Sequence, residues 1–131
     1  MEVIDVVKKK DIILQQSEWL LMEQLWENGS MTIMQLFHAL EVDPGWSKST
    51  VNTMLKRMMD KEIISYHEGE KARQYYPLIS RDEAALAETE SLLEKIYDGS
   101  VSMMMSTLVK KKKISKVEID ELNGILKELE G

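Results

Sequence analysis

Hydrophobic positions along the chain change their spacing twice. Trp19, Leu20, Met22, Leu25 and Trp26 recur at helical intervals, the mark of a helix with one buried face. Ser17 is the expected N-cap, and Asn28-Gly29 the stop. A second helix through Met34, Leu36, Phe37 and Leu40 follows Thr32 as its cap. Glu41-Val42-Asp43-Pro44-Gly45 is a turn by composition, because Pro fixes φ and Gly accepts positive φ. After Trp46, Ser47 is placed to cap a third helix reaching about Lys61. There the period shortens. Ile63-Ile64-Ser65-Tyr66-His67 and Gln74-Tyr75-Tyr76 are β-branched and aromatic, with the polar run Glu68–Arg73 between them. This predicts a β-hairpin, and Pro77 confines its second strand to an edge or an end.

Helical spacing then returns. Ser80-x-x-Glu83 is a capping box opening a fourth helix through Leu86, Leu92, Leu93, Ile96 and Tyr97 to Asp98-Gly99. A fifth covers about Ser100–Lys110. Ser115-x-x-Glu118 opens the last, with Ile119, Leu122, Ile125, Leu126 and Leu129. The expected fold is therefore mainly α with one small β-hairpin. A loose lead over 1–15 precedes a winged helix-turn-helix domain over 16–79, and a helical region follows over 80–131. That last piece is too small to bury a core of its own. A second copy of the chain is the simplest partner for its apolar faces. Leu92, Ile96, Met104, Leu108, Leu122, Ile125 and Leu129 are the expected dimerisation residues.

Composition narrows the function. The 131 residues are 44% hydrophobic and 31% charged, with only 6 Gly and 2 Pro, which fits a globular chain and disfavours an all-β sandwich. No stretch approaches the roughly 18 apolar residues of a membrane helix, and the N-terminus lacks the features of a secretory signal. A cytoplasmic protein without membrane contact is expected. The chain has no cysteine, which removes disulfides, thiol catalysis and thiolate metal sites. His38 and His67 stand far apart in sequence, so no metal site is expected. No nucleophile–base pair, phosphate loop or metalloprotease motif appears. The chain reads as a non-enzyme with no cofactor.

The net charge is −6, which alone argues against a nucleic-acid binder. Its distribution argues the other way. Lys48, Lys56, Arg57 and Lys61 face only Asp60 over 47–61, a local +3. At about 100° per residue, Val51, Met54, Leu55 and Met58 share one arc of the third helix. Lys48, Ser49, Asn52, Thr53, Lys56 and Arg57 share the other. A helix fits the major groove of B-DNA, where long cations and short polar side chains reach phosphates and base edges. Thr50 is expected near the phosphates. The hairpin adds Lys71 and Arg73 as a wing, opposed by Glu68 and Glu70. Two other features read first as packing or solvent: Met103-Met104-Met105 as an adaptable helix interface, and Lys110–Lys113 as a solvated break between helices, with DNA contact as its alternative.

Several stretches together carry a resemblance. They are Ser17-Glu18-Trp19 with Leu25-Trp26, Trp46-Ser47-x-x-Thr50-Val51-x-Thr53-x-Leu55-x-Arg57, Tyr75-Tyr76-Pro77-Leu78, the Tyr97-x-Gly99 junction and the closing capping box. In this order they resemble the penicillinase-repressor (BlaI/MecI) family over about residues 10–129. The resemblance implies a homodimeric winged-helix repressor on palindromic operators with TACA/TGTA-type half-sites, governing antibiotic-response genes. It also implies relief of repression by a membrane sensor-protease system that cuts in the dimerisation region. The family's copper-responsive branch uses C-terminal cysteines and is excluded.

Three departures from the family stand out. Lys48-Ser49 stands where Pro-Lys is common, and Asn52 where Lys or Arg is common. The family's Asn-Phe cleavage bond is missing, and Thr107-Leu108 occupies its position. Two other readings remain beside the repressor. One is a winged-helix regulator controlled by a ligand near the methionines. The other is a winged-helix module that binds no DNA, which would suit the acidic charge.

Overall fold

The computed structural model describes residues 12–131. Most of the lead expected over 1–15, with its Lys8–Lys10 run, lies outside the described residues. Its last part belongs to the core, where Ile12 and Leu14 are buried.

Among the described residues the elements are α1 (Gln16–Asn28), α2 (Ile33–Leu40), α3 (Lys48–Asp60), β1 (Ile64–Glu68), β2 (Arg73–Pro77), α4 (Arg81–Tyr97), α5 (Val101–Lys110) and α6 (Lys116–Glu130). Helix starts follow the capping chemistry. Thr32 accepts from the Gln35 amide, Ser47 from Thr50, Ser100 from Met103 and Ser115 from Glu118. Ser80 Oγ accepts from the Glu83 amide, and the Glu83 carboxylate accepts from the Ser80 amide. The exception is α1. Its N-cap is Gln15 rather than Ser17, in a reciprocal box with Glu18. Glu18 at the third helical position is what fixes the start there, because its carboxylate accepts the Gln15 amide at 2.8 Å.

The mainly helical fold with one hairpin is the expected one. β1 and β2 pair antiparallel, with Tyr66 opposite Tyr75 and Ile64 opposite Pro77. A further bridge was not expected: Met31 and Tyr75 exchange backbone hydrogen bonds at 2.9 and 2.8 Å on the other edge of β2. At the hairpin turn, a Cβ on Gly69 would meet the Ala72 carbonyl oxygen at 2.5 Å, so the turn needs glycine there.

The contacts divide the chain into two compact units, one ending at Thr89 and one over Glu90–Gly131. The first unit includes the start of α4, which packs on α1. Ala84 is buried, Trp26 Nε1 donates to the Ile79 carbonyl at 2.9 Å, and Arg81 Nε pairs with Glu23 at 2.8 Å. The core of this unit joins Leu21, Met22, Leu25, Leu36, Val51, Leu55, Met58, Ile63 and Ile64. In Glu90–Gly131 no side chain is buried. Met104, Leu108 and Leu122 are half-buried; Leu92, Ile96, Ile125 and Leu129 are exposed. No helix among the described residues is long and apolar enough to cross a membrane.

Candidate nucleic-acid interface

The interface begins with the turn between α2 and α3. Gly45 N and Trp46 N both donate to the Leu40 carbonyl, at 3.0 and 2.9 Å. Gly45 has φ +94°, a conformation that strains any side chain carrying a Cβ. This turn delivers the chain to Ser47, whose hydroxyl accepts the Thr50 amide and lies 3.1 Å from the Thr50 hydroxyl.

α3 then divides as its periodicity requires. Val51, Met54, Leu55 and Met58 are buried, whereas Lys48, Ser49, Thr50, Asn52, Thr53, Lys56 and Arg57 are all exposed. The buried four lock the helix to the core, so the exposed seven form one rigid face. That face carries three cations and four short polar side chains, the chemistry of phosphate contact and base-edge reading. Lys48 Nζ stands 6.0 Å from the Phe37 ring centroid, and Arg57 Nη1 lies 3.7 Å from Met54 Sδ. Neither cation is spent in an ion pair among the described residues.

Lys61 is different. The local +3 of this segment counts it with the interface, but the structure turns it inward. Its Nζ donates to Glu18 Oε1 at 2.8 Å and to the Ile13 carbonyl at 3.1 Å. Glu18 is only 1% exposed, and its Oε2 has no hydrogen-bond partner. A buried carboxylate needs a cation, and Lys61 at the end of α3 supplies it. Sequence reasoning missed this pair because its members stand 43 residues apart and no periodicity links them.

On the hairpin, Lys71 and Arg73 are both exposed. Lys71 projects at the turn. Arg73 is held: its guanidinium carbon lies 4.1 Å from the Tyr66 ring centroid, and Nε is 3.5 Å from Glu68. Tyr75 first, and then the charges of Tyr66 and Glu68, hold its pKa above the ordinary guanidinium value. Arg73 is therefore a positioned cation over an aromatic face, partly shared with an acid.

The histidines lie outside this face. His38 Nδ1 is 2.9 Å from Glu41 Oε2, and the His67 ring lies 5.7 Å from that of Tyr76. Among the described residues no three His, Cys, Asp or Glu side chains are grouped to hold a metal ion.

A profile of the penicillinase repressor family matches residues 14–128. The chain belongs to the penicillinase repressor family. The methicillin resistance regulatory protein MecI of Staphylococcus aureus (strain N315) is 25% identical over 113 residues, covering 86% of this chain and 92% of MecI. The penicillinase repressor of Bacillus licheniformis is 27% identical over 120 residues, 92% of this chain and 94% of that one. Among solved structures, the DNA-binding domain of the repressor BlaI aligns at TM-score 0.49 and 24% identity, over 53% of this chain and 85% of that domain.

Proposed function

We propose that this member of the penicillinase repressor family is a transcriptional repressor, acting in the cytoplasm on duplex DNA and not as an enzyme. One observation carries the reading: α3 buries Val51, Met54, Leu55 and Met58 and turns seven cationic and polar side chains outward as a rigid face. In this reading Lys48, Ser49, Asn52, Thr53 and Arg57 face the groove, Thr50 and Lys56 meet phosphates, and Lys71 and Arg73 meet the backbone as a wing. Relatives named for penicillinase repression and methicillin resistance regulation support antibiotic-response genes as targets.

The acting form is a homodimer through Glu90–Gly131, and its two-fold axis calls for a palindromic operator. Leu92, Ile96, Ile125 and Leu129 are exposed in the single chain, which supports a second copy covering them. Repression is relieved by a cut in α5 near Thr107 and Leu108 by a sensor protease. Such a cut unlinks the DNA-binding half from α6 and removes the avidity of paired half-sites. Direct ligand control near the methionines is the competing route.

Sequencing DNA that co-purifies with the protein should return an inverted repeat. On that repeat, Asn52→Ala or Arg57→Ala should cost about 1–3 kcal/mol and relax base preference. Lys56→Ala should weaken every sequence alike and lower the salt slope by about one. Unchanged affinity in both Lys48→Ala and Arg57→Ala would remove α3 from the groove. For relief, an immunoblot of host cells under cell-wall antibiotic stress decides. A stable full-length band while targets switch on would exclude proteolysis.

A further inference from the structure

The densest positive charge in the molecule lies outside the winged helix. Residues 99–117 contain five lysines and no acidic residue. Lys110, Lys111, Lys112, Lys113 and Lys116 are all exposed, and none forms an ion pair among the described residues. The loop that presents them is built by backbone bonds. The amides of Lys111, Lys112 and Lys113 donate to the carbonyls of Thr107, Val109 and Leu108 at 3.2, 3.0 and 2.9 Å. Lys112 sits at φ +56°, where glycine or asparagine would be at less cost.

Helix electrostatics account for part of this cluster only. Lysine near a helix C-terminus complements the dipole, which covers Lys110 and Lys111. It does not cover Lys112 and Lys113, which lie past the end of α5. It opposes Lys116, the first residue of α6, because a cation there faces the positive end of that helix. Five like charges within about one Debye length repel one another, and no acidic side chain between Asp98 and Glu118 relieves them. An external anion would.

The first unit makes that anion easier to identify. Over residues 12–89, seven basic side chains stand against twelve acidic ones. Lys61 is used by Glu18, Arg73 is shared with Glu68, and Arg81 is paired with Glu23. Lys48, Lys56, Arg57 and Lys71 remain to meet DNA in an acidic surrounding. Duplex DNA offers about one phosphate charge per 1.7 Å of axis, a spacing that a short run of lysines can follow with several contacts at once.

We propose that Lys110, Lys111, Lys112, Lys113 and Lys116 form a phosphate-binding patch that grips the backbone of duplex DNA without reading its sequence. The proposal rests on the DNA-binding reading above, and it adds a second contact surface to that reading.

The test uses the full chain and a random-sequence duplex of about 30 base pairs, with binding followed by fluorescence anisotropy across a salt series. The loop variant Lys111→Gln/Lys112→Gln/Lys113→Gln should lower the slope of log affinity against log salt by about two to three and weaken binding at least tenfold. Its circular dichroism and elution volume should match the unaltered chain. The α3 variant Lys56→Gln/Arg57→Gln is measured beside it. A loop variant with unchanged slope, beside an α3 variant with reduced slope, overturns the patch and leaves the DNA-binding reading standing. An unaltered chain that binds no duplex overturns both. A third arm uses anionic phosphatidylglycerol vesicles. If the loop variant loses vesicle binding while its duplex slope is unchanged, the patch belongs to a lipid surface and the proposal fails.

Discussion

Through Thr89 the described chain buries sixteen hydrophobic side chains; from Glu90 on it buries none. Yet the second region is not poorly specified. Its helices open on Ser100 and on the Ser115–Glu118 capping box, as sharply as α2 and α3 open on Thr32 and Ser47. The difference lies one level up. In the first unit, local signals and long-range burial agree. In the second, local signals set the helices while their apolar residues are at most half-buried. Caps and propensity alone leave short helices marginal in water, so the proposed dimer would supply the burial that the second region lacks among the described residues.

Cutting the chain at its division gives the largest expected effect. A fragment ending at Thr89 should stay folded and sediment as a monomer, and it should bind a two-half-site operator about 10²–10⁴-fold more weakly than the full chain. A fragment ending at Pro77 should be less stable than the one ending at Thr89, since it lacks the Trp26–Ile79 bond, the Arg81–Glu23 pair and Ala84. Equal denaturation midpoints for the two fragments would show that the start of α4 adds nothing to the first unit.

Core substitutions should separate the regions next. Leu25→Ala removes a fully buried side chain and should cost about 2–5 kcal/mol at every protein concentration. Ile125→Ala should show its loss mainly on dilution, because mass action governs a shared surface. Melting both variants at two concentrations a hundredfold apart checks this. Concentration-independent melting of Ile125→Ala would argue against a dimer held through α6.

The ion pair between Glu18 and Lys61 is a smaller lever within the first unit. Lys61→Met strands a buried carboxylate and should cost up to about 3 kcal/mol, the low end for a buried pair because the lysine side chain is 27% exposed. Glu18→Gln/Lys61→Met should recover much of that loss, and urea unfolding of the single and double variants reads it. Smallest of all, Ser115→Ala should cost about 1 kcal/mol of α6 stability, seen as lower helicity at concentrations where the chain is dilute.

The legible parts of the sequence were those set by neighbours within four residues. Thr32, Ser47, Ser80 and Ser115 mark their helices by side-chain chemistry that acts over one turn. Val51, Met54, Leu55 and Met58 mark the inner arc of α3 by spacing alone. What escaped depends on partners far along the chain. Ile12 and Leu14 precede any periodic run, so their burial left no pattern. Met31 joins β2 as a single bridged residue, too short to read as a strand. Gln15 caps α1 because Glu18 is held in place by Lys61, a contact invisible from Ser17 and its neighbours. Ala84 and Arg81 tie the start of α4 to α1, although their helix reads as one uninterrupted amphipathic run. Six of the outward residues of α3 were legible as one arc, with Thr50 beside them; that Lys61 pairs with Glu18 was not.

Lys61 also gives α3 a fixed aim. A helix of this length extends about 20 Å, so a pivot of about 10° at one end would swing the other by about 3 Å, a full hydrogen-bond length. The strut from Lys61 to Glu18 and the Ile13 carbonyl clamps the trailing end of that lever, while Ser47 and the Gly45 turn clamp the leading end. Phosphate contacts made by flexible lysines would tolerate such a swing; paired bonds to a base edge would not. Loosening the strut should thus blur which sequence is chosen before it weakens how tightly DNA is held. Under the proposed reading, the fidelity of readout would then be set by a charge at the end of α3 that pairs with Glu18 and not with DNA.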